Sequence, residues 1–163
     1  MARRHQRTVD VTASPERLFA RLDDQTRLAE HMARPSVMMG GGRMTYNFDT
    51  ARGQAVGSHI KMGGSAFGIP LFVDEVVVER VPPIHKSWRT EGPVRLIVIG
   101  AYAMGFAIAL AGEGARLTVW IEYALPGGAF GRFAAPFAAI YARLCVGQMA
   151  RDAADHFSPR GSA

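Results

Sequence analysis

The stretch that decides the fold is LIVIGAYAMGFAIALAG, residues 96–112, which runs for seventeen residues without a charge. This length is the short limit for a helical membrane span, and its three glycines would weaken a helix. From Tyr102 onward the even positions carry large side chains and the odd positions carry alanine or glycine. A period of two puts the large groups on one face of a strand, whereas a helix would scatter them. The sequence therefore predicts a β-strand here and no transmembrane segment.

The next segment, residues 116–125, alternates in the same way after the turn signal Gly112-Glu113-Gly114. The two segments are predicted to form a hairpin in which Leu110 faces Leu117 and Phe106 faces Ile121. A slip by one residue would mix the apolar and polar faces, so we expect this register. The hairpin then presents one large apolar face, which another element must cover.

The predicted cover is a long amphipathic helix over residues 128–157. Large apolar side chains recur there mostly at steps of three and four residues, which is typical of one helix face. The members of this apolar set are Phe130, Phe133, Phe137, Ile140, Tyr141, Leu144, Val146, Met149, Ala153 and Phe157. Pro136 is expected to begin the regular portion of the helix or to kink it, because proline lacks a backbone donor.

The rest of the chain is predicted to contain two short helices and four further strands after an opening strand. The first helix covers residues 14–22, with Ser14 as N-cap and Pro15 at the first helical position. The second helix covers residues 26–32. The further strands are predicted at residues 43–50, 58–63, 72–81 and 87–91, separated by glycine and proline signals. We expect one domain over residues 1–158 and a short flexible tail over 159–163.

Composition and charge narrow the range of functions. Apolar residues make up 48% and charged residues 20% of the 163 positions, which is ordinary globular composition. The net charge is +5, but the basic residues are scattered apart from Arg3, Arg4 and Arg7, so no nucleic-acid partner is expected. Cys145 is the sole cysteine, which excludes an intrachain disulfide. Residues 8–12 are too short and polar for the apolar core of a signal peptide, so a cytoplasmic location is expected.

Two segments resemble a known family. The segment VTASPERLFARLDD, residues 11–24, is similar to the opening strand and proline-initiated helix of the START-like SRPBCC superfamily, and EVVVERVPP, residues 75–83, is similar to its strand-ending pattern. This superfamily includes polyketide cyclases, carriers of lipids and coenzyme Q, and the major birch-pollen allergen. The resemblance implies an α+β helix-grip fold, in which a seven-stranded antiparallel curved sheet wraps around a long C-terminal helix. Two short helices follow the first strand in that fold.

Metal and cofactor sites are not expected from the sequence. The histidines are far apart, and none has the spacing of two metal ligands on one element. They are His5, His31, His59, His85 and His156. The glycine run at residues 40–42 lacks the spacing of a phosphate-binding loop. We therefore expect neither a bound metal nor a cofactor.

A hydrophobic ligand is the partner that the residues and the resemblance favour. Tyr102 lies on the large face of its strand and could place a hydroxyl in an apolar pocket. His31 ends the second predicted helix, in a region that rims the cavity in the resembled fold. The candidate ligand-binding residues are His31, Trp88, Tyr102, Met104, Phe106, Phe137 and Tyr141. Each of them could instead serve only packing or helix termination.

Three functions from different classes remain open. The first is a carrier or sensor that encloses a lipid, a quinone or a polyketide-like molecule between the sheet and the last helix. The second is a cyclase or dehydratase, disfavoured because no acid–base pair can be located from the sequence. The third is a module that contacts a protein or a membrane surface through Arg3, Arg4, Arg7, Phe67 and residues 69–72. The sequence does not determine the oligomeric state.

Overall fold

The computed structural model describes residues 2–27 and 43–159. In this part of the chain the strands are β1 (Arg3–Val11), β2 (Met44–Phe48), β3 (His59–Ala66), β4 (Ile69–Val81), β5 (His85–Arg95), β6 (Tyr102–Ala111) and β7 (Gly114–Tyr123). The helices are α1 (Pro15–Asp23) and α2 (Ala129–Phe157), and residues 25–27 are also helical. The remainder of the predicted second helix, with His31 and the glycine run at 40–42, lies outside the described residues.

The strands form one antiparallel sheet in the order β1-β7-β6-β5-β4-β3-β2. Each strand from β2 to β7 therefore pairs with its neighbour in sequence, and β1 closes the far edge by pairing with β7. The long helix α2 packs on β1 and β7, and α1 contacts β6 and β7. This arrangement confirms the predicted helix-grip fold.

The hairpin of β6 and β7 has the predicted faces but a different register. Phe106 pairs with Val119 and Met104 pairs with Ile121, so the predicted pairing of Phe106 with Ile121 was wrong by two residues. A shift of two leaves every side chain on its predicted face, which is why the alternation could not detect it. The turn sets the register, because Gly112 has a φ of 59° and closes a two-residue loop before Gly114. Residues 96–101 lie outside the strand.

The helix α2 buries its small side chains rather than its large ones. The buried positions are Gly131, Ala134, Ala138, Ala142, Val146, Gly147, Met149, Ala150 and Ala153. The exposed large residues are Phe130, Phe133, Phe137, Ile140 and Leu144. We expected the large apolar side chains of this helix to face the core, and this expectation was wrong for those in the first half of the helix. Both faces of this half are apolar, and small side chains allow the helix backbone to lie closer to the sheet.

Among the described helices, α2 alone is long and apolar enough to cross a membrane by length and composition. Its alanine face packs against the sheet, which identifies it as the core helix of this fold. Pro136 lies inside the helix, which continues through it to Phe157.

A buried polar network fastens the end of α1 to the sheet. The Lys86 ammonium is fully buried and donates to the Asp23 carboxylate at 2.9 Å and to the Asp23 carbonyl at 3.2 Å. The Arg80 guanidinium donates to both oxygens of the same carboxylate. Burial lowers the pKa of Lys86 and its contacts with Asp23 oppose this, so the network keeps a charged side chain inside the domain.

Phe106 is 1% exposed and contacts Phe19 of α1 and Trp88 of β5 in edge-to-face geometry. We expect Phe106→Ala to lower the free energy of unfolding by about 3–5 kcal/mol, because a large core side chain is removed. Leu110→Ala on the same strand should cost much less, since Leu110 is 74% exposed. Urea unfolding measures both values.

The same measurement tests the register of the hairpin. A double-mutant cycle between Phe106→Ala and Val119→Ala should show a coupling of about 0.5 kcal/mol or more, because these residues face each other. Phe106→Ala combined with Leu71→Ala, in a separate group of core residues, should be additive. Additive behaviour of Phe106 and Val119 would contradict the pairing.

Candidate functional site

The structure brings several of the predicted ligand residues to one region of the inner sheet face. Tyr102 and Met104 of β6 are half-buried, and Trp88 and Phe106 are buried beside them. Tyr141 of α2 is half-buried and packs against the same core. Trp88 and Phe106 are therefore parts of the packed floor of this region, whereas the other three retain accessible surface.

The two remaining predicted ligand residues stand apart from this region. Phe137 is 63% exposed on α2. His31 lies outside the described residues. Their roles in ligand binding stay predictions.

A buried carboxyl group lies at the centre of the region. The Glu75 side chain of β4 is 6% exposed and accepts a hydrogen bond from the Tyr102 hydroxyl. The Trp88 indole N–H also donates to it. Burial raises the pKa of Glu75 to about 7, against the opposing effect of the two hydrogen bonds. The carboxyl group can therefore hold or release a proton near neutral pH.

Tyr102 lies where two groups of apolar residues meet. The helix-side cluster includes Phe106, Ile121 and Ala138, and it lies between β6, β7 and α2. The strand-side cluster consists of Met44, Ile60, Met62, Ala66, Leu71 and Val73. Tyr102 packs against both clusters. The pair formed by Tyr102 and Glu75 is thus a polar group set within apolar surroundings.

Tyr46, Tyr141 and Cys145 are further titratable side chains near this pair. Tyr141 and Cys145, one turn apart on α2, hydrogen-bond to each other, and the Cys145 contact is the largest cause that raises the pKa of Tyr141. Burial raises the pKa of Tyr46 on β2, and the charge of Glu75 adds to this shift. Burial and then Glu75 also raise the pKa of Tyr102. These phenols are neutral at ordinary pH and can serve as hydrogen-bond donors.

The inward-facing side chains of this region are not closely packed on every side. Tyr46, Tyr102, Met104 and Tyr141 are half-buried although the strand register directs the first three toward the interior. These four side chains therefore keep part of their surface accessible. An apolar region with a few polar groups is typical of the lining of a small-molecule site.

The sequence interpretation missed Glu75, Tyr46 and Cys145 as site residues. A signal for Glu75 was present, because Leu71, Val73, Glu75 and Val77 alternate along one strand and a single acid interrupts an apolar face. Its hydrogen-bond partners could not be found in this way, since they lie on β5 and β6. Within residues 2–27 and 43–159, no three side chains of His, Cys, Asp or Glu are grouped so as to hold a metal ion.

Comparison of the sequence with family models finds a match over residues 2–155, to the family described as "Polyketide cyclase / dehydrase and lipid transport". The chain belongs to this family. The assignment confirms the predicted START-like SRPBCC membership and supports a fold that binds hydrophobic ligands. The comparison with curated proteins finds no match.

Solved structures with the same fold come from several kinds of protein. Ara h 8.0201 has a TM-score of 0.66 at 10% identity, covering 96% of this chain and 98% of that one. The di-domain ARO/CYC protein BexL of the BE-7585A biosynthetic pathway has 0.66 at 16%, covering 98% of this chain and 51% of that one. Protein CV1439 of Chromobacterium violaceum has 0.61 at 18%, covering 96% and 97%. At these identities the likeness establishes the fold alone.

The raised pKa of Glu75 predicts how stability depends on pH. Between the ordinary pKa of 4.5 and the folded value of about 7, the folded protein binds more protons at this group than the unfolded chain does. Stability should therefore fall by roughly 3 kcal/mol as the pH rises through this window. Glu75→Gln should remove this loss, which urea unfolding on either side of the window measures.

Glu113→Gln is the control for this prediction, because Glu113 is a carboxylate exposed to solvent in the turn between β6 and β7. It should keep the pH dependence of the parent protein. If Glu75→Gln and the parent protein lose stability equally across the window, the buried carboxyl does not have the raised pKa.

Proposed function

We propose that this protein encloses a hydrophobic small molecule between the inner face of its sheet and α2, as a carrier or a sensor. The observation that carries the proposal is the hydrogen-bonded pair of Glu75 and Tyr102 at the meeting point of two apolar clusters. A buried carboxyl costs free energy of folding unless it is compensated. The position of this carboxyl group beside a phenol and between two apolar clusters supports a role in orienting a ligand.

The chemistry of the region supports a ligand with a long or ring-shaped apolar body and one polar end. The apolar body would contact Met104, Met62 and other members of the two clusters. A hydroxyl or carbonyl group at the polar end would exchange hydrogen bonds with Glu75, Tyr102 or Tyr141. A lipid, a quinone or a polyketide-like molecule fits this description. A cytoplasmic location is part of the same proposal.

Native mass spectrometry of the purified protein should detect a co-purifying apolar compound. Once that compound is known, Tyr102→Phe should weaken its binding by about 0.5–1.5 kcal/mol, because one hydroxyl is lost while the ring remains. Isothermal titration calorimetry measures the change.

Tyr123→Phe is the matched control for Tyr102→Phe. Tyr123 lies opposite Tyr102 in the sheet, but its hydroxyl contacts His5 rather than Glu75. This control should bind the ligand as the parent protein does. Equal affinity of the parent protein and Tyr102→Phe would remove Tyr102 from the site.

A second candidate function is a cyclase or dehydratase, and one observation favours it. A carboxyl group with a pKa of about 7 is suited to proton transfer at neutral pH, and a phenol lies beside it as a second donor. Under this function Glu75 would be the general acid or base. The sequence alone identified no acid–base group. The buried carboxyl beside a phenol therefore favours this function more than the sequence did.

Glu75→Gln separates the two functions. For an enzyme, turnover of a polyketide-like substrate should fall by about 10²–10⁴-fold while binding changes little, because the proton-transfer group is lost. For a carrier, the affinity should change and no turnover should be measurable in the parent protein. Binding and product formation measured on one ligand series distinguish these outcomes.

A further inference from the structure

The strand register gathers several distant segments at one end of the sheet. Phe72 near the start of β4 pairs with Arg95 at the end of β5, and Tyr102 at the start of β6 pairs with Tyr123 at the end of β7. The turn between β3 and β4, the connection from β5 to β6 and the start of α2 therefore lie at the same end. We call this the apolar end. Tyr102 of the candidate site also lies there.

Large apolar side chains are exposed at the apolar end. Phe67 at the tip of the turn between β3 and β4 is 72% exposed, and Phe133 in the first turns of α2 is 78% exposed. Ile69, Phe72 and Phe130 are also exposed. Phe67 has a φ of 52°, a conformation uncommon for a bulky residue, and it holds the ring at the tip of the turn. Grouped exposed aromatic residues mark an interaction surface.

The apolar end carries a surplus of positive charge. Because Met104 pairs with Trp88 and Trp88 pairs with Val77, the described segments that form this end are residues 2–5, 43–48, 59–77, 88–104 and 121–133. Their basic members are Arg3, Arg4, Arg43, Lys61, Arg89, Arg95 and Arg132, and their acidic members are Asp74, Glu91, Glu122 and the buried Glu75. Arg4 forms an ion pair with Glu122. Positive charge therefore exceeds negative charge in the segments that carry the exposed aromatic residues.

We propose that the apolar end docks on the surface of an anionic lipid bilayer. The phenylalanines would enter the interface between head groups and acyl chains, and the arginines would contact the phosphates. A surface that combines exposed aromatic residues with surplus positive charge matches an apolar layer bordered by anionic groups, which such a bilayer presents. This inference rests on the proposed function, because docking in this orientation would turn the Tyr102 end of the ligand site toward the lipid.

Vesicle flotation tests the docking. The parent protein should float with vesicles of phosphatidylcholine mixed with an equal amount of phosphatidylglycerol, and should stay unbound with phosphatidylcholine alone. High salt should weaken the binding, because head-group attraction is screened. Binding to both vesicle types equally, or to neither, would overturn the inference.

Single substitutions locate the contact. Phe67→Asn and Phe133→Gln should each weaken vesicle binding by about tenfold, and Arg95→Gln and Arg132→Gln by about fivefold each. Asparagine tolerates the positive φ of residue 67, and all four side chains are exposed, so the variants should fold. Leu110→Gln is the matched control, because Leu110 is equally exposed at the opposite end of the same sheet. If Leu110→Gln and the four test variants bind vesicles equally well, the proposed orientation is overturned.

Two outcomes separate this inference from the proposed function. A ligand in native mass spectra together with no vesicle binding would overturn the docking and leave the carrier function in place. Vesicle binding without a co-purifying ligand would support the docking and overturn the carrier function. Analytical ultracentrifugation of the parent protein and Phe133→Gln supplies a further test: a dimer that the substitution dissociates would assign the surface to a second copy and overturn the lipid proposal.

Discussion

The close contact between the alanine face of α2 and strands β1 and β7 is the constraint on which the rest of the structure depends. Ala138, Ala142 and Ala150 are fully buried in that contact. Since the small side chains hold the helix near the sheet, the large side chains of its first half cannot fit beneath it and point outward. The flank with Tyr141 and Cys145 then faces the phenols and the carboxyl group of the candidate site. The packing of this helix face therefore determines both which large side chains are exposed and which polar side chains face the candidate site.

Two buried polar networks in this protein differ in how completely their charged groups are hydrogen-bonded. The Lys86 ammonium has three oxygen acceptors, on Asp23 and Gln25, and therefore makes a complete set of hydrogen bonds that fastens α1 to the sheet. Among the described residues, Glu75 has the Tyr102 and Trp88 donors and no cation in hydrogen-bond contact, and burial raises its pKa to about 7. A saturated network stabilises the fold. A carboxyl held near its titration point is suited to exchange partners with a ligand.

The candidate site and the proposed docking surface are linked through β6. This strand begins with Tyr102 at the apolar end and continues to Phe106 in the packed floor. A ligand that entered from a bilayer at the apolar end would meet Tyr102 and Glu75 before it reached the closed core. Under the two proposals, the start of β6 would therefore carry the polar group that an entering ligand meets first.

The sequence by itself determined the local structure of the β6–β7 hairpin and the face that each of its residues occupies. Alternation over residues 102–110 identified a strand, and the opening motif and element order identified the helix-grip fold. It could not fix the register of the hairpin, because a shift of two residues preserves a period of two, and the turn at Gly112 decided between registers. Nor could it choose the buried face of α2, since both faces of its first half are apolar and only the fit against the sheet favours the alanines.

Tertiary structure alone decided which distant residues act together. Glu75 is visible in the sequence as an acid on an apolar strand face, but Tyr102 and Trp88 become its partners only because β4, β5 and β6 are neighbours in the sheet. Arg3 and Arg132 likewise meet at one end because β1 pairs with the strand that leads into α2. Periodicity reports the local direction of a side chain, whereas contacts between segments depend on pairing across the sheet, which no local pattern encodes.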